Sequence, residues 1–300
     1  MKRIIIVAAV LGLVLSTSTP SAAHVPSDKN FAAVQVPISE SDVANVEVDG
    51  NLAEWDNVPS VFWVTHDDLV ESITGTQGDP DAGNLAERII VGWSPETNFL
   101  YIMEERFDNL WFGEEEGTND LLELVIDADH SGGGFYGGDL EERDFGAHAQ
   151  DWQQQLYNPD GPLWLWGGGV WAAVEPYTGI RYNVDGESGG AATLSQESYF
   201  TTFDYLPGDS TSPESADVDV HTLAEGEVIG LGIVIQDDDN GPGDSYNGYW
   251  IHTGDVNVYF NADALRDHVL LGYDASNWMS GGATAVENDS WGRIKAGFSN

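Results

Sequence analysis

Side-chain oxygens are clustered directly after an apolar run in the first half of the chain. Leu121–Ile126 reads LLELVI, and Asp127, Asp129 and Ser131 follow it just before a run of three glycines. Oxygen ligands on a flexible loop suit a hard cation such as calcium. The alternative is an ordinary polar turn, because Asp, Ser and Gly are also the common turn residues. We predict a calcium site that uses Asp127, Asp129 and Ser131.

A second acidic run follows the other long apolar segment. Val228–Ile235 reads VIGLGIVI, and Asp237, Asp238 and Asp239 come shortly after it. Adjacent carboxylates repel one another when no cation is present. Strand geometry points alternate side chains to opposite faces, so at most two of the three can share an ion. We therefore predict Asp237 and Asp239 as calcium ligands, and we expect the two strands to deliver their acidic ends to a place where a divalent ion can hold them.

Large aromatic side chains offer a second kind of chemistry. The segment Leu163–Val174 reads LWLWGGGVWAAV, and alternation puts Trp164 and Trp166 on the same face of a strand. If exposed, the two rings would make a flat surface for sugar rings, and if buried they would anchor a core. Burial is the default expectation for such large apolar side chains.

The elements that must position these residues are short strands. Arg88–Trp93 and Phe99–Glu104 flank Ser94–Asn98 and form the clearest predicted hairpin. Asn45–Trp55 contains a strand that ends at the turn pair Asp49-Gly50. Because helical periodicity is scarce, the sequence predicts an all-β protein: an antiparallel β-sandwich of jelly-roll or immunoglobulin type with long acidic loops.

The composition restricts the partners of the protein. The chain has 10 Lys and Arg residues against 51 Asp and Glu residues, a net charge of −41. Such a surface repels phosphate backbones and anionic lipids, so nucleic acid is excluded as a partner, whereas a neutral polysaccharide or oligosaccharide and divalent cations are compatible. Hydrophobic residues make up 41%, enough for a packed core. The absence of cysteine excludes thiol catalysis, zinc–thiolate sites and Fe–S clusters.

The start of the chain has the pattern of a secretion signal. Lys2 and Arg3 precede the apolar run Ile4–Leu15, and Ser21-Ala22-Ala23 resembles a cleavage site. The apolar run is too short to span a bilayer, and no later segment reaches the required length. We predict that the secreted chain begins near His24, without a transmembrane segment. It would keep 8 basic residues against 51 acidic ones, a net charge of about −43.

Four segments, taken together and in order, resemble family 9 carbohydrate-binding modules, over roughly residues 43–271. They are Glu47–Trp55, the hairpin of Arg88–Trp93 and Phe99–Glu104, the strand and acidic loop of Asn119–Asp129, and Val228–Asp239 followed by Trp250. The resemblance implies a β-sandwich that binds carbohydrate without catalysis and carries structural calcium. In the family, the sugar lies between two aromatic side chains, and polar side chains contact its hydroxyls.

The resemblance also implies the positions of the sugar-binding residues. This chain has Gly117-Thr118-Asn119 where the family has its first platform tryptophan, so Trp111 is the nearest tryptophan and takes that place in the prediction. The second platform residue falls near Trp250 or Tyr259. Gln150 and Gln153 occupy the region where polar contacts to the sugar are expected. Aromatic stacking suits pyranose rings because their axial C–H faces are apolar.

Three other functional classes compete with this hypothesis. A glycoside hydrolase needs two suitably separated carboxylates, but no sequence signature such as GxSxG or HExxH marks a catalytic residue here. A haem-binding domain would use Met and His ligands, and Met103 in a strand is more simply a core residue. The third class is a structural or surface-layer protein on the same fold without a sugar site.

The sequence therefore predicts four regions. They are a signal peptide at 1–23, a lead-in segment at 24–42, a β-sandwich domain at 43–273, and a linker with a short tail at 274–300. The predicted function is non-catalytic carbohydrate binding by an exported protein with structural calcium.

Overall fold

The computed structural model of the 300-residue chain describes residues 24–25, 29, 31–73, 82–117, 120–243 and 248–279. The predicted signal peptide and residues 280–300 of the predicted tail lie outside the described residues, as do Thr118 and Asn119.

Short strands make up most of the regular structure. In chain order they are β1 (Phe31–Gln35), β2 (Trp63–Thr65), β3 (Val70–Glu71), β4 (Leu85–Ser94), β5 (Phe99–Trp111), β6 (Leu121–Asp127), β7 (Gln150–Gln154), β8 (Leu163–Trp166), β9 (Thr178–Gly186), β10 (Gly190–Thr201), β11 (Phe203–Tyr205), β12 (Asp219–Val220), β13 (Val228–Asp237), β14 (Gly248–Ile251) and β15 (Arg266–Leu270).

The helical segments of the described residues are all short 3-10 helices. They span Leu52–Asn57, Ser60–Phe62, His66–Asp68, Glu142–Asp144, Val170–Ala173, Val256–Tyr259, Ala262–Ala264 and Ala275–Asn277. The prediction of an all-β protein is confirmed.

The strands form two large sheets that meet at β1. The order is β8-β7-β6-β13-β15-β1-β4-β5-β10-β9, with β14 beside β13, β3 beside β14 and β2 beside β4. We call the part from β8 to β15 the first sheet, and the part from β4 to β9 the second sheet. The pairs β4–β5 and β6–β13 are antiparallel, as predicted for the hairpin and for a sandwich.

Strand β1 lies in the segment 24–42, which the sequence analysis places outside the sandwich domain as a lead-in; the structure corrects this prediction. It pairs in parallel with β15 through Phe31–Ala33 and in parallel with β4 through Val34 and Gln35. Ala33 and Val34 are completely buried. The segment carries little alternation because both of its faces are covered, which hides a strand from a search for polar and apolar periodicity.

The main core lies between the two sheets. Leu122 and Ile233 of the first sheet share one buried cluster with Ile89 and Leu194 of the second. Every residue of β6 is buried, as the near-continuous apolar run predicted. This covering of β6 on both faces fixes the direction of the loops at its two ends.

The packed structure also extends beyond the predicted boundary at residue 273. Trp278 is buried and lies edge-on to Trp55, with 5.3 Å between the ring centroids. Residues 274–278 are therefore part of the fold rather than of a linker. Among the described residues, no helix has both the length and the apolar character that a membrane span requires.

Candidate functional site

Two of the predicted platform residues lie inside the core. Trp111 is 1% exposed and Trp250 is completely buried, and both belong to the cluster between the sheets. A ring whose faces are covered by other side chains cannot stack on a sugar. The prediction that Trp111 and Trp250 form the platform is therefore wrong in this structure.

The tryptophans of β8 are placed in the opposite way to the default expectation. Trp164 is 45% exposed and Trp166 is 43% exposed, whereas the alternating residues Leu163 and Leu165 point into the core. Strand β8 is the edge strand of the first sheet, and the described residues leave both rings partly uncovered on its outer face. The ring centroids are 6.2 Å apart and the ring planes differ by 72°. The two rings thus present separate faces rather than one flat surface.

Gln153 connects this tryptophan pair to the rest of the sheet. It lies on β7 directly between Trp164 of β8 and Glu123 of β6. The Trp166 Nε1–H donates a hydrogen bond to Gln153 Oε1 at 3.2 Å. All of these side chains are on the outer face, and Gln153 holds the Trp166 ring there.

A buried carboxylate continues the polar row beyond Gln153. The predicted residue Tyr259 donates its hydroxyl proton to Glu123 Oε2 at 2.8 Å, and Gln236 Nε2 donates to the same oxygen at 2.8 Å. Burial raises the pKa of Glu123, although these hydrogen bonds act in the opposite direction. We call Trp164, Trp166, Gln153, Glu123 and Asp151 the outer-face row.

Asp151 is the remaining member of the outer-face row. It pairs with Trp166 across β7 and β8, and it is buried. Burial, followed by repulsion from Glu123, raises the pKa of Asp151 well above its ordinary range. Its Oδ1 atom has no hydrogen-bond partner among the described residues.

Gln150 lies on the other face of the same strand. It is buried, and its Nε2 donates a hydrogen bond to the Ala147 carbonyl oxygen at 3.0 Å. The predicted sugar contacts are thus separated: Gln153 and Tyr259 come together around Glu123, and Gln150 does not join them. The LWLW alternation was the available signal for the missed tryptophans, since two leucines on one face can fill the core and leave the rings outside.

The two acidic strand ends lie far apart, which contradicts the expectation that one place receives both. Strands β6 and β13 are antiparallel neighbours, and Asp127 pairs with Gly230 near the start of β13. Asp237 is seven residues further along β13, which corresponds to roughly 23 Å at the rise of an extended strand. The antiparallel pairing therefore makes two separate sites.

Asp237 lies in a buried cluster of three carboxylates. Its partners are Asp108 of β5 and Asp120, which directly precedes β6, and one oxygen from each lies within 4.8 Å of the others. All three side chains are buried. The predicted ligand Asp239 is half-buried beside this cluster, and its charge is one of the influences that raise the pKa of Asp108, after burial. We call Asp108, Asp120 and Asp237 the carboxylate triad.

The chemistry of the carboxylate triad fits a hard cation. Burial, followed by repulsion from Asp108, raises the pKa of Asp120 to about 9. Asp120 already accepts the Phe112 N–H at 2.6 Å. Asp108 Oδ1 accepts the Leu110 N–H, whereas Asp108 Oδ2 is buried and has no hydrogen-bond donor among the described residues. Three oxygen donors with an uncompensated atom are suited to calcium.

The predicted calcium loop after β6 has different partners. Asp127 accepts hydrogen bonds from the Ser131 N–H at 3.2 Å and the Gly132 N–H at 2.8 Å, and Asp129 accepts from the Ser131 N–H at 3.1 Å. Asp127 Oδ2 also lies 3.2 Å from His24 Nε2. The carboxylate oxygens of Asp127 and Asp129, which the sequence analysis predicts as calcium ligands, therefore accept hydrogen bonds from backbone amides, and Asp127 also contacts an imidazole.

Comparison with known proteins gives a limited set of similarities. No protein-family model matches the chain, and no curated protein matches it. Among solved structures, the chain is similar to a carbohydrate-binding module of family 9 from Caldicellulosiruptor kristjanssonii in complex with cellotriose, with 11% identity, a TM-score of 0.49, and coverage of 82% of this chain and 95% of that chain. It is also similar to such a module from the same organism in complex with glucose, with 11% identity, a TM-score of 0.45, and coverage of 81% and 96%.

Proposed function

We propose that the chain is an exported, non-catalytic carbohydrate-binding protein that holds a neutral polysaccharide or oligosaccharide on the outer-face row. The exposed pair Trp164 and Trp166 is the observation that carries this proposal. Two tryptophans on one edge strand lose apolar contact with the protein when they face water, which is unfavourable unless a ligand covers them. The apolar C–H faces of pyranose rings have the shape and chemistry to do so.

The polar members of the outer-face row supply the hydrogen bonds that a sugar needs. The amide of Gln153 and the carboxyl of Asp151 lie on β7 beside the two rings. Sugar hydroxyls both donate and accept, so an amide and a carboxyl together can satisfy them. A neutral glycan also avoids the repulsion that the strong negative charge of the chain imposes on anionic polymers.

The angle between the rings selects among neutral glycans. Because the planes of Trp164 and Trp166 differ by 72°, the pair does not match a flat crystalline surface. Two sugar residues can stack on the two rings only if their own faces are turned relative to each other. We therefore propose single, soluble glycan chains as the ligand, and not crystalline polysaccharide.

Affinity electrophoresis and calorimetry on soluble glucan, xylan and mannan test this proposal. We expect the parent protein to bind at least one of them, and Trp164→Ala and Trp166→Ala each to weaken binding by about two- to tenfold, because a stacked aromatic ring contributes about 0.5–1.5 kcal/mol. Tyr199→Ala is the matched control, since Tyr199 packs against Phe99 on the second sheet. Parent-like binding by both tryptophan variants, or no binding by the parent, would contradict the proposal. The latter result would favour a structural protein without a sugar site.

A second measurement separates binding from catalysis. Glu123 and Asp151 both have raised pKa values on the same face, which is a feature of general acids in glycosidases. The proposal predicts that no reducing ends accumulate when the protein is incubated with the glycan that it binds. Release of reducing ends that is lost in Glu123→Gln would instead identify a glycoside hydrolase.

Structural calcium is proposed for the carboxylate triad. The ion would be held by Asp108, Asp120 and Asp237, which come from both sheets and would then be tied together at one end of the molecule. A bound cation stabilises the folded state because it interacts with the native arrangement of ligands and not with the unfolded chain. We expect removal of calcium with a chelator to lower the thermal unfolding midpoint.

Site variants make the calcium test specific. Asp120→Asn and Asp237→Asn should unfold at the same temperature with and without chelator, whereas exposed Asp139→Asn should respond as the parent does. An unfolding midpoint of the parent that does not change on chelation would contradict the calcium proposal. Sugar binding is measured separately, so failure of one proposal does not imply failure of the other.

A further inference from the structure

Two imidazoles and a carboxylate come together at the end of the first sheet opposite the carboxylate triad. His24 Nδ1 lies 2.6 Å from Asp267 Oδ1, and His130 Nε2 lies 2.9 Å from the same oxygen. The ligand atoms of all three residues lie within 4.8 Å of one another. The residues come from the start of the described chain, from the loop after β6, and from β15, so only the fold brings them together.

The surrounding structure is shaped to hold the His24 ring. The side chain of His24 is buried, and a Cβ atom added at Gly230 would lie 2.4 Å from His24 Cε1 and 2.7 Å from His24 Nε2. Gly230 therefore leaves the space that the imidazole occupies. Gly230 also pairs with both Asp127 and Asp267, which places the two carboxylates on either side of the ring.

We infer that His24, His130 and Asp267 form a binding site for a divalent transition-metal ion of the zinc and copper class. Two imidazole nitrogens and one carboxylate oxygen are a ligand set that zinc and copper use, whereas calcium prefers oxygen ligands alone. Tetrahedral ligands at about 2.0–2.1 Å from zinc lie about 3.3 Å from one another. The Asp267 oxygen lies 2.6 Å from His24 Nδ1 and 2.9 Å from His130 Nε2, so each of these two pairs would need to separate by less than about 1 Å to reach that spacing.

Asp127 is assigned a positioning role at this site. It faces the second nitrogen of His24 at 3.2 Å, so it can accept the Nε2–H and leave Nδ1 as the metal ligand. A carboxylate that accepts the other ring N–H of a ligating histidine fixes the orientation and tautomer of that histidine. The Ser131 and Gly132 amides hold Asp127 in turn. This arrangement accounts for the Asp127 loop without a calcium ion in it.

The site is open on one side. The Asp267 side chain is 46% exposed and the His130 side chain is 30% exposed, whereas His24 and Asp127 are completely covered. A metal ion can therefore arrive from solvent at the His130 and Asp267 side and complete its coordination with water. The inner half of the site stays fixed by the sheet.

The proposed export adds one further ligand to the inference. Cleavage after Ala23 would make His24 the first residue, and an amino-terminal histidine can chelate one ion through its amine and its Nδ1 atom. This part of the inference rests on the proposed function, because it requires processing of the exported chain. The three side chains do not depend on it.

Calorimetric titration of metal-free protein that begins at His24, purified with a carboxy-terminal tag, tests the site with zinc chloride and copper sulfate. We expect one ion per chain, with an affinity at least tenfold weaker in His130→Ala and in Asp267→Asn. Gly230→Ala should weaken binding as well, because the added methyl group displaces the His24 ring. His148→Ala and Asp139→Asn, at exposed positions away from the site, are the matched controls and should bind as the parent does.

Two results would overturn the inference. One is parent-like zinc and copper binding by His130→Ala and Asp267→Asn, with folding of both variants verified by circular dichroism. The other is calcium binding that these two variants abolish. A chain that retains Ala23 should bind copper about tenfold more weakly than the chain that begins at His24. If the two chains bind copper with equal affinity, the amine of His24 is not a ligand. Glycan binding is measured on the outer-face row, so its failure leaves this test unaffected.

Discussion

At the scale of single residues, one step along a strand decides whether a tryptophan packs or faces water. Trp152 of β7 pairs with Leu165 and is buried in the main core, whereas Trp164 of β8 pairs with Gln153 and is exposed. The difference arises because successive side chains point to opposite faces, and the outer face is open at the edge strand β8 whereas the inner face packs in the core.

Two buried histidines make the stability of the protein depend on pH. His252 and His268 are completely buried, with 5.7 Å between their ring centroids, and Phe31 packs against both rings. Burial lowers the pKa of His268 to about 4 and lowers the pKa of His252 well below its ordinary value. Both nitrogens of His252 lack a hydrogen-bond partner among the described residues. Protonation in the folded state is therefore strongly disfavoured.

Acid should weaken the folded state through these histidines. Their pKa is lower in the folded state than in the unfolded chain, so the unfolded chain binds more protons, and stability is lost as the pH falls from about 6.5 through about 4. Each such histidine contributes a loss of about 2 kcal/mol between pH 7 and pH 5. We expect His252→Phe to lose about 2 kcal/mol less than the parent over this interval, measured by urea unfolding.

The pH dependence of the variant must be compared with that of the parent, because other buried groups change the stability in the opposite direction as the pH falls. The buried carboxyls Asp120 and Asp151 have raised pKa values, which makes their contribution more favourable as the pH falls. His148→Phe at an exposed position is the control and should follow the parent. An identical pH dependence in His252→Phe and the parent would show that His252 does not carry this effect.

At the scale of elements, glycines set how closely β1 and β4 approach the segments packed on them. A Cβ atom at Gly92 of β4 would lie 2.5 Å from Val36 Cγ1 and 2.9 Å from the Trp55 ring. Gly92 pairs with Val34, so the close approach occurs where the two sheets are joined. A side chain at this position would push β4 away from the segment that follows β1.

Gly92→Ala should therefore destabilise the protein by about 1–3 kcal/mol, the usual cost of inserting a methyl group into a filled space. The free energy of unfolding in urea measures this loss. Gly190→Ala in β10 is the matched control, because its Cβ would make only one contact, at 3.4 Å to the Glu187 oxygen. Equal stability of the two variants would mean that the junction between the sheets has room to relax.

The strands themselves could be predicted from sequence, but their pairing could not. The runs Leu121–Ile126 and Val228–Ile235 lie within β6 and β13, and the predicted hairpin lies within β4 and β5. Sequence patterns report burial and turns, but not whether two buried strands run antiparallel. For that reason the acidic ends were expected together, and the partners Asp108 and Asp120 of Asp237 were not identified.

The candidate sites were less predictable than the strands because they join distant positions. His24 and Asp267 are 243 positions apart, and only the pairing of β13 with β6 and β15 places them side by side. Glu123 of the outer-face row also depends on a distant residue, because the Tyr259 hydroxyl that donates to it is 136 positions away. Alternation in LWLW defines the two faces of β8, whereas the covering of one face is a property of the assembled sheet.

At the scale of the whole molecule, the net charge of −41 opposes compaction. Like charges spread over one surface repel one another, and this repulsion decreases as the chain expands. Added salt shortens the range of the repulsion from about 10 Å at 0.1 M to about 3 Å at 1 M. The folded state should therefore gain stability in salt, even without any specific ion.

We expect the thermal unfolding midpoint in the presence of chelator to rise by about 3 °C or more between 0.05 M and 1 M KCl, which corresponds to about 1 kcal/mol for a domain of this size. Sodium chloride should give the same increase, because screening does not depend on the identity of the cation. A midpoint that does not change with salt would indicate that charge repulsion is unimportant for stability. A larger effect of one cation would indicate specific binding instead.

The parallel pairing of β1 with β15 has a consequence for the order of assembly. Residues 31–33 find their parallel partners only at residues 268–270, so the seam between the sheets cannot close until β15 has been synthesised. Contacts between such distant positions make folding slow. Until β15 has been synthesised, β1 can pair only with β4, and the edge of β1 that later binds β15 keeps unpaired backbone groups.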